Sequence, residues 1–456
     1  MEHSIRTLPA RLVARPWLLA FVPINAATAG FGVALPLYVL IPLHGGWGEV
    51  ALAASLFNGA IILSSIFWGY VADRFPARRP LLLLNYAGFA ALYAVLDQVT
   101  SLPLLFAIYV GVGILAPAGA TAANLLVLEQ FSEAERPGAY ASLQEMSMIG
   151  SMGGLLVGYF WLLANAPLAP LFLVLGGLAA TSVVAVYFGV GEAGRRASAA
   201  AIAQHPDSLA ARFHQGPFRL PFPYFPVVPH ISRAGLRRFR RWLGFEIHGE
   251  LPLILAAGVL FSLAANLFNI SYVPYLQQSI GLDGAAIFLI NFANNVAQGL
   301  SFPASGALAS SVGADRMVQR STYLRSLGYL AVTGSTFVPL ALSSAFGMNL
   351  LAFSVLGVAI ALYTTSSSLI LFRALEGRDA GRLLGLSSAL GGVAAVGGAI
   401  LSGVLSFGGN YRLPFLVSAA ALLVSLPLWT GAQVAYARRR RGPRAAGTAD
   451  RAGETD

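Results

Sequence analysis

Cysteine and lysine are both absent from the 456 residues, and acids are few: 19 against 29 basic residues, every one an arginine. Without cysteine there is no disulfide, no thiol nucleophile and no Cys-ligated metal. Without lysine there is no phosphate-binding loop of the G-x-x-x-x-G-K-[ST] type, which argues against ATP-driven work by this chain. The six histidines, at 3, 44, 205, 214, 230 and 248, have no ligand spacing, so neither metal nor cofactor is expected. Charge of both signs is scarce, at 11% of residues against roughly 25% in soluble domains. That scarcity excludes a soluble enzyme. The net charge of +10 has no nucleic-acid-binding domain to carry it, so a nucleic-acid partner is not expected either.

What is abundant is apolar: 57% of the chain. Crossing a ~30 Å hydrocarbon core takes about 20 residues per helix, and the chain has room for twelve such spans. Apolar runs separated by loop breakers fall at 17–43, 48–71, 80–97, 102–128, 139–164 and 168–190, then at 251–278, 284–309, 318–340, 346–372, 383–407 and 412–436. The fold class expected is an all-α integral membrane protein with twelve transmembrane helices in two six-helix bundles. The first run is too long for the apolar core of a cleaved signal peptide and is taken as a retained span. The expected organisation is a first bundle over 1–190, a connection over 191–250, a second bundle over 251–437 and an Arg-rich tail over 438–456.

Orientation follows from where the arginines lie. Arg6, Arg11 and Arg15, the connections after spans 2, 4, 8 and 10, the central connection and the tail together hold 28 of the 29, with Arg325 counted in the connection after span 8. Only Arg412 falls on the other side. Both termini and the central connection are therefore expected in the cytoplasm of a multi-pass cell-membrane protein. Within that connection, residues 216–230 hold five prolines among aromatics and are expected to run extended. Residues 231–245 place Ile231, Leu236, Phe239, Trp242, Leu243 and Phe245 on one helical face and five arginines on the other, a pattern suited to a helix lying in the bilayer interface.

Two pairs of connections recur in register. Gly69 to Asp73-Arg74 after span 2 matches Gly306 to Asp315-Arg316 after span 8, the glycines 237 residues apart. Glu135-Arg136-Pro137-Gly138 before span 5 matches Arg378-Asp379-Ala380-Gly381 before span 11, with glycines 243 apart. Two matches at nearly one offset point to a duplicated six-helix unit. The first of these segments, Phe67-Trp68-Gly69-Tyr70-Val71-Ala72-Asp73-Arg74-Phe75-Pro76-Ala77-Arg78-Arg79, resembles the G-x-L-A-D-R-x-G-R-R loop of the major facilitator superfamily. Leu35-Pro36-Leu37-Tyr38 in span 1 is similar to the proline-containing first helices of those transporters. Pro76 and Ala77 depart from the pattern, and proline fixes φ near −65° where a glycine would turn left-handed, so the loop bends differently here.

Asp73 is suited to capping the positive N-terminal end of a neighbouring helix, which the resemblance assigns to the start of span 11. The same reading pairs Arg74 and Arg78 with Glu129, Glu133 or Glu135, and turns Asp315 toward the start of span 5 and Arg316 toward Glu376 or Asp379. Gly69, Asp73, Arg74, Arg78, Glu129, Asp315 and Arg316 are thus the expected cytoplasmic gate.

Polar side chains inside spans are costly toward lipid and mark a cavity or a partner helix. Asn291, Asn294, Asn295 and Gln298 form a stripe at i, i+3, i+4 and i+7 in span 8. Asn266 and Asn269 in span 7, Asn25 and Thr28 in span 1, Asn124 in span 4 and Tyr363 in span 10 complete the expected substrate cavity; the resemblance assigns cavity lining to spans 1, 4, 7 and 10. Glu145 is the one carboxylate well inside a span and the candidate for proton coupling. Glycines 150, 153, 154 and 158 are expected to let span 5 pack closely on a neighbour. The function implied is secondary active transport of a small organic solute by a monomer, export favoured over uptake. The alternatives are an uptake facilitator for a sugar or small metabolite, and a non-transporting membrane sensor on the same scaffold.

Overall fold

The computed structural model describes residues 16–74, 78–130, 136–190, 249–337, 341–375, 380–406 and 409–441. Within them every element is helical. The first six are α1 (Phe21–Leu40, entered through a 3-10 turn at Pro16–Ala20), α2 (Trp47–Arg74), α3 (Arg78–Leu96), α4 (Leu102–Gln130), α5 (Arg136–Leu163) and α6 (Leu168–Gly189). The second six are α7 (Leu251–Pro274, continued by a π-helical turn over Tyr275–Ile280), α8 (Gly284–Val312), α9 (Ala314–Ser335), α10 (Leu342–Leu375), α11 (Ala380–Leu405) and α12 (Arg412–Arg441). The central connection with its proline-rich and amphipathic stretches, and the tail beyond 441, lie outside the described residues.

Helices are the form this composition requires, because in hydrocarbon each backbone N–H and C=O must be satisfied within its own segment. Ten of the twelve carry a stretch long and apolar enough to cross a membrane, while α8 and α9 fall short of that apolarity. The α8 start is capped by Asp283, whose carboxylate accepts from the Ala286 N–H at 2.7 Å. It passes to α9 through the single residue Gly313 at φ 91°, a conformation that side chains rarely adopt.

The two halves use one packing diagram. In the first half α1 packs on α5 and α6, α2 on α4, and α3 on α4 and α6; in the second α7 packs on α11 and α12, α8 on α10, and α9 on α10 and α12. The halves meet chiefly through two pairs, α5 with α8 and α2 with α11, which are themselves equivalent under the same repeat. Two bundles of six, as the arginine pattern and the paired loops imply, are what the chain forms.

The glycine-rich helices explain how the seams close. A Cβ at Gly154 would overlap the Ala26 carbonyl, and one at Gly150 would overlap that of Val22, so α5 lies against the α1 backbone. In the second half Gly398 does the same for α11 against the Leu263 carbonyl of α7, 244 residues further on. Gly158 instead faces the Phe288 ring across the boundary between halves, and Gly153 meets open space. The close-packing expectation thus holds for three of the four α5 glycines.

One boundary moves with consequences. The ninth span was expected from 318 but α9 begins at Ala314, immediately after the Gly313 turn, so Arg316 joins Arg320 and Arg325 inside the helix and none of the three lies in a connection.

Candidate functional site

A cavity of about 290 Å³ lies between the halves. The first half contributes an apolar wall: Ala29, Gly32 and Val33 of α1 and Leu155 of α5. The second half contributes the polar side through Asn269 and Tyr272 of α7, Asn291, Asn294 and Asn295 of α8, and Arg325 and Tyr329 of α9. Phe353, Leu356 and Ile360 of α10 complete that side. A second space of about 190 Å³ shares Gly32, Asn269 and Val273 with the first and runs past Pro36 and Val50, along α1 and the start of α2.

The asparagines are held by their own backbone surroundings. Asn291 Nδ2 donates to the Ile287 carbonyl at 2.9 Å and Asn295 Nδ2 to the Asn291 carbonyl at 3.0 Å, each one turn back. Asn294 Nδ2 crosses to the Phe353 carbonyl of α10 at 2.6 Å, where Gly357 lets α8 and α10 approach closely. Each amide nitrogen thus spends one of its two N–H groups on a backbone carbonyl, and no described residue donates to the amide oxygens, which remain acceptors. Asn269 is exposed there and has no hydrogen bond to a described residue. Tyr272 is fixed by its hydroxyl donating to Asn349 Oδ1 at 3.2 Å.

Arg325 is the residue that sequence reasoning misplaced. It is the twelfth of the 22 residues of α9, halfway along the helix, and only 3% exposed. Its Nε donates to the Tyr329 hydroxyl at 2.8 Å, one turn on. Its guanidinium carbon lies 4.5 Å from the centre of the Phe261 ring and 5.3 Å from that of Tyr329. Those rings are braced in turn: Phe261 stacks on Tyr363 at 3.4 Å, and Tyr329 on Phe268 at 3.8 Å. Among the described residues no carboxylate pairs with Arg325. Cation–π contact is worth about 2 kcal/mol at a desolvated site, whereas withdrawing a charge from water costs several. The aromatic cradle therefore orients the guanidinium without offsetting its burial. The cavity thus contains one cation beside the asparagines that were expected to line it. The segregation of arginines loses this residue, leaving 27 of 29 on the expected side. The available signal was the Arg325-x-x-x-Tyr329 spacing, which puts both on one helical face.

The remaining expected cavity residues divide. Asn269, Asn291, Asn294 and Asn295 line the space. Asn25 does not; its Nδ2 donates to the Phe21 carbonyl at 2.7 Å and to Ser147 Oγ at 3.2 Å, joining α1 to α5. The Thr28 hydroxyl bonds the Asn25 carbonyl at 3.2 Å, and Asn266 Nδ2 the Ser262 carbonyl at 2.9 Å. Asn124 is exposed on α4, Gln298 is half-buried beyond the cavity, and Tyr363 stands behind Phe261 as a support for the arginine's cradle. The lining comes from α1, α5, α7, α8, α9 and α10, so α4 gives way to α5, α8 and α9. Glu145 is exposed on α5 and has no ion pair with a described residue.

At the end holding the α2–α3 and α8–α9 connections, Asp315 is the best defined of the residues expected at the gate. Both its oxygens receive Arg373 of α10, at 2.7 and 2.8 Å, its carbonyl accepts from Gln433 of α12 at 2.9 Å, and Arg373 lies 4.0 Å over the Tyr436 ring. The hydrogen bonds that Arg373 donates to Asp315 raise its pKa further above the ordinary value. Asp315 thus clasps α9, α10 and α12 within the second half, and the expected reach toward the start of α5 is corrected. Arg316 is exposed. Arg78 donates to the Ala72 carbonyl, tying the start of α3 to the last turn of α2. Gly69 lies in α2; the side chains of Asp73, Arg74 and Glu129, and all of Glu133, Glu135, Glu376 and Asp379, lie outside the described residues.

The opposite end is joined across the halves. Trp47, at the start of α2, donates from its indole nitrogen to Gln278 Oε1 at 2.6 Å and to the Tyr411 hydroxyl at 2.5 Å, and Tyr411 donates to Gln278 at 2.9 Å. Burial raises the Tyr411 hydroxyl above its usual pKa, keeping it a neutral donor.

Two equivalent six-helix halves around a cavity the size of a small solute have the build of a secondary membrane transporter. The Major Facilitator Superfamily model matches residues 17–246 and 254–452, and the chain belongs to that superfamily. Its function is therefore membrane transport of the major facilitator type, by a multi-pass membrane protein. Among solved structures the fold is similar to that of the nucleoside transporter NupG, at 13% identity and TM-score 0.62, covering 94% of this chain and 99% of that one. It is also similar to a POT family transporter in complex with a thioalcohol-conjugated peptide, at 14% identity and TM-score 0.67, covering 92% and 96%. No curated protein sequence matches the chain.

Proposed function

We propose that this chain is a secondary active carrier of a small organic solute, working by alternating access in the cell membrane with both termini and the central connection cytoplasmic. The observation that carries this reading is the interhalf cavity of about 290 Å³, whose size sits at the lower end for small-molecule sites. Asn269, Asn291, Asn294 and Asn295 are the residues proposed to hold the solute. Rocking of the halves along α5 with α8 and α2 with α11 would expose that site to each face in turn. Export is the direction proposed, on the glycine-rich α5, and the carrier is taken to act as a monomer. Gly69, Asp73, Arg74, Arg78, Glu129, Asp315 and Arg316 are proposed to close the cytoplasmic face. No proton step is assigned to Glu145.

The test is solute flux in proteoliposomes reconstituted with the full chain, using vesicles of both orientations. Concentrative or counter-flow uptake of at least one solute is expected, and Asp73→Asn should lower it while membrane insertion is retained. Absence of protein-dependent flux for every solute in a broad library sinks the carrier reading, and unchanged turnover in Asp73→Asn removes that residue from the gate.

A further inference from the structure

We propose that Arg325 is an anchor for a carboxylate, so that the solute taken by this cavity is a small organic anion carrying hydrogen-bond donors elsewhere. This deepens the carrier reading above and rests on it. Four observations converge. Arg325 stands halfway along a helix of a membrane protein, where a lone charge is retained at a cost and marks a functional position. Only its Nε is engaged, by Tyr329, so the paired terminal nitrogens of the guanidinium have no acceptor among the described residues. That two-nitrogen edge matches a carboxylate in a bidentate geometry that lysine does not reproduce. The plane of the group is set by Phe261 and Tyr329, which Tyr363 and Phe268 brace, so little rotamer freedom is lost on binding.

The remaining recognition follows from the neighbours. The amide oxygens of Asn291, Asn294 and Asn295 are acceptors and call for hydroxyl, amine or amide N–H groups on the body of the solute. The opposite wall of Ala29, Val33 and Leu155 accepts an apolar face. With no carboxylate of a described residue at Arg325, the bound anion itself neutralises the buried cation, which favours acids over neutral solutes of the same shape.

The experiment uses acid and amide pairs that differ in charge alone: 4-hydroxybenzoate with 4-hydroxybenzamide, and lactate with lactamide. Binding is read by thermal shift of the purified full chain and by counter-flow in proteoliposomes. The acid of at least one pair should bind on the order of 30-fold or more tightly than its amide, as loss of one partner of a buried charge pair implies. Arg325→Gln should erase the difference by weakening the acid while leaving the amide within about threefold; Arg325→Lys, which keeps the charge, should retain part of it. The wild-type pairs need no variant to fold. Equal binding of acid and amide, or full acid binding by Arg325→Gln, overturns the carboxylate assignment while carriage of neutral solutes leaves the transport reading in place. If neither acid nor amide of either pair binds or crosses, the carboxylate assignment falls, while the carrier reading is decided by flux across the broader solute library.

Discussion

The two halves share a packing diagram helix for helix, yet they differ in where they hold polarity. All six helices of the first half are apolar enough to cross a membrane, whereas in the second half only four are. The two that fall short, α8 and α9, bring the asparagine stripe and Arg325 to the cavity. Toward that same cavity the first half shows Ala29, Gly32, Val33 and Leu155. Duplication thus fixes the scaffold symmetrically while the polar side chains of the cavity are concentrated in one copy. Backbone packing is constrained by helix seams that both copies need, whereas the side chains lining the cavity are free to differ between them.

The comparison is broken most severely at the seams. Gly154→Leu drives a side chain into the Ala26 carbonyl, and Gly398→Leu does the equivalent against Leu263. Each should cost about 3 kcal/mol or more and abolish a monodisperse peak in detergent size-exclusion chromatography. A large loss in one half alone would show that the shared diagram is not shared energetically.

Next in size is a contrast between the halves at the cavity. Asn294→Leu removes the bond to Phe353 and one acceptor, and should lower solute flux about tenfold, near 1.4 kcal/mol. Thr28→Val in the first half, whose hydroxyl serves only its own helix, should change flux less than about twofold. Equal effects would erase the asymmetry. A smaller effect is expected at the opposite end. Trp47→Phe deletes the indole N–H shared by Gln278 and Tyr411, and should alter flux a few-fold through the balance of open and closed states, with thermal stability within about 1 kcal/mol. Asp315→Asn weakens a half-exposed ion pair and should lower stability by about 1 kcal/mol or less, measured by thermal melting. Glu145→Gln comes last: exposed and without an ion pair to a described residue, it should leave gradient-driven flux unchanged, and a loss would restore it as a proton carrier.

Much of this was legible in the residues. The number of helices, the two bundles and the duplicated offset follow from hydropathy and the paired loops, because bilayer thickness and backbone satisfaction leave few other solutions. The α8 stripe was legible for the same reason that amphipathic periodicity always is: Asn291, Asn294 and Asn295 share a face. Gln298 lies on that stripe but a turn beyond the cavity, since periodicity gives direction and not depth. Asn25 and Asn266 resolved to helix bonding, a choice that only the neighbouring helix decides. Arg325 was missed because, although the expected span 318–340 contains it, it was counted with the arginines of the connection before that span, and hydropathy carries no sign of the Phe261 and Tyr329 rings that hold its guanidinium inside the helix. Asp315 found its partner inside its own half because Arg373, 58 residues away, reaches it first.

The π-helical turn at Tyr275–Ile280 holds one residue more per turn than the α-helix before it. Were it to unwind into α-helical pitch, every side chain beyond would swing by about 100°, the angle between successive residues. Gln278 would then leave the indole of Trp47, and the hydrogen bond between Trp47 and Tyr411 would be left to join the halves at that end. A one-residue slip in a single winding would thus loosen that face of the molecule while Trp47 and Tyr411 still hold it.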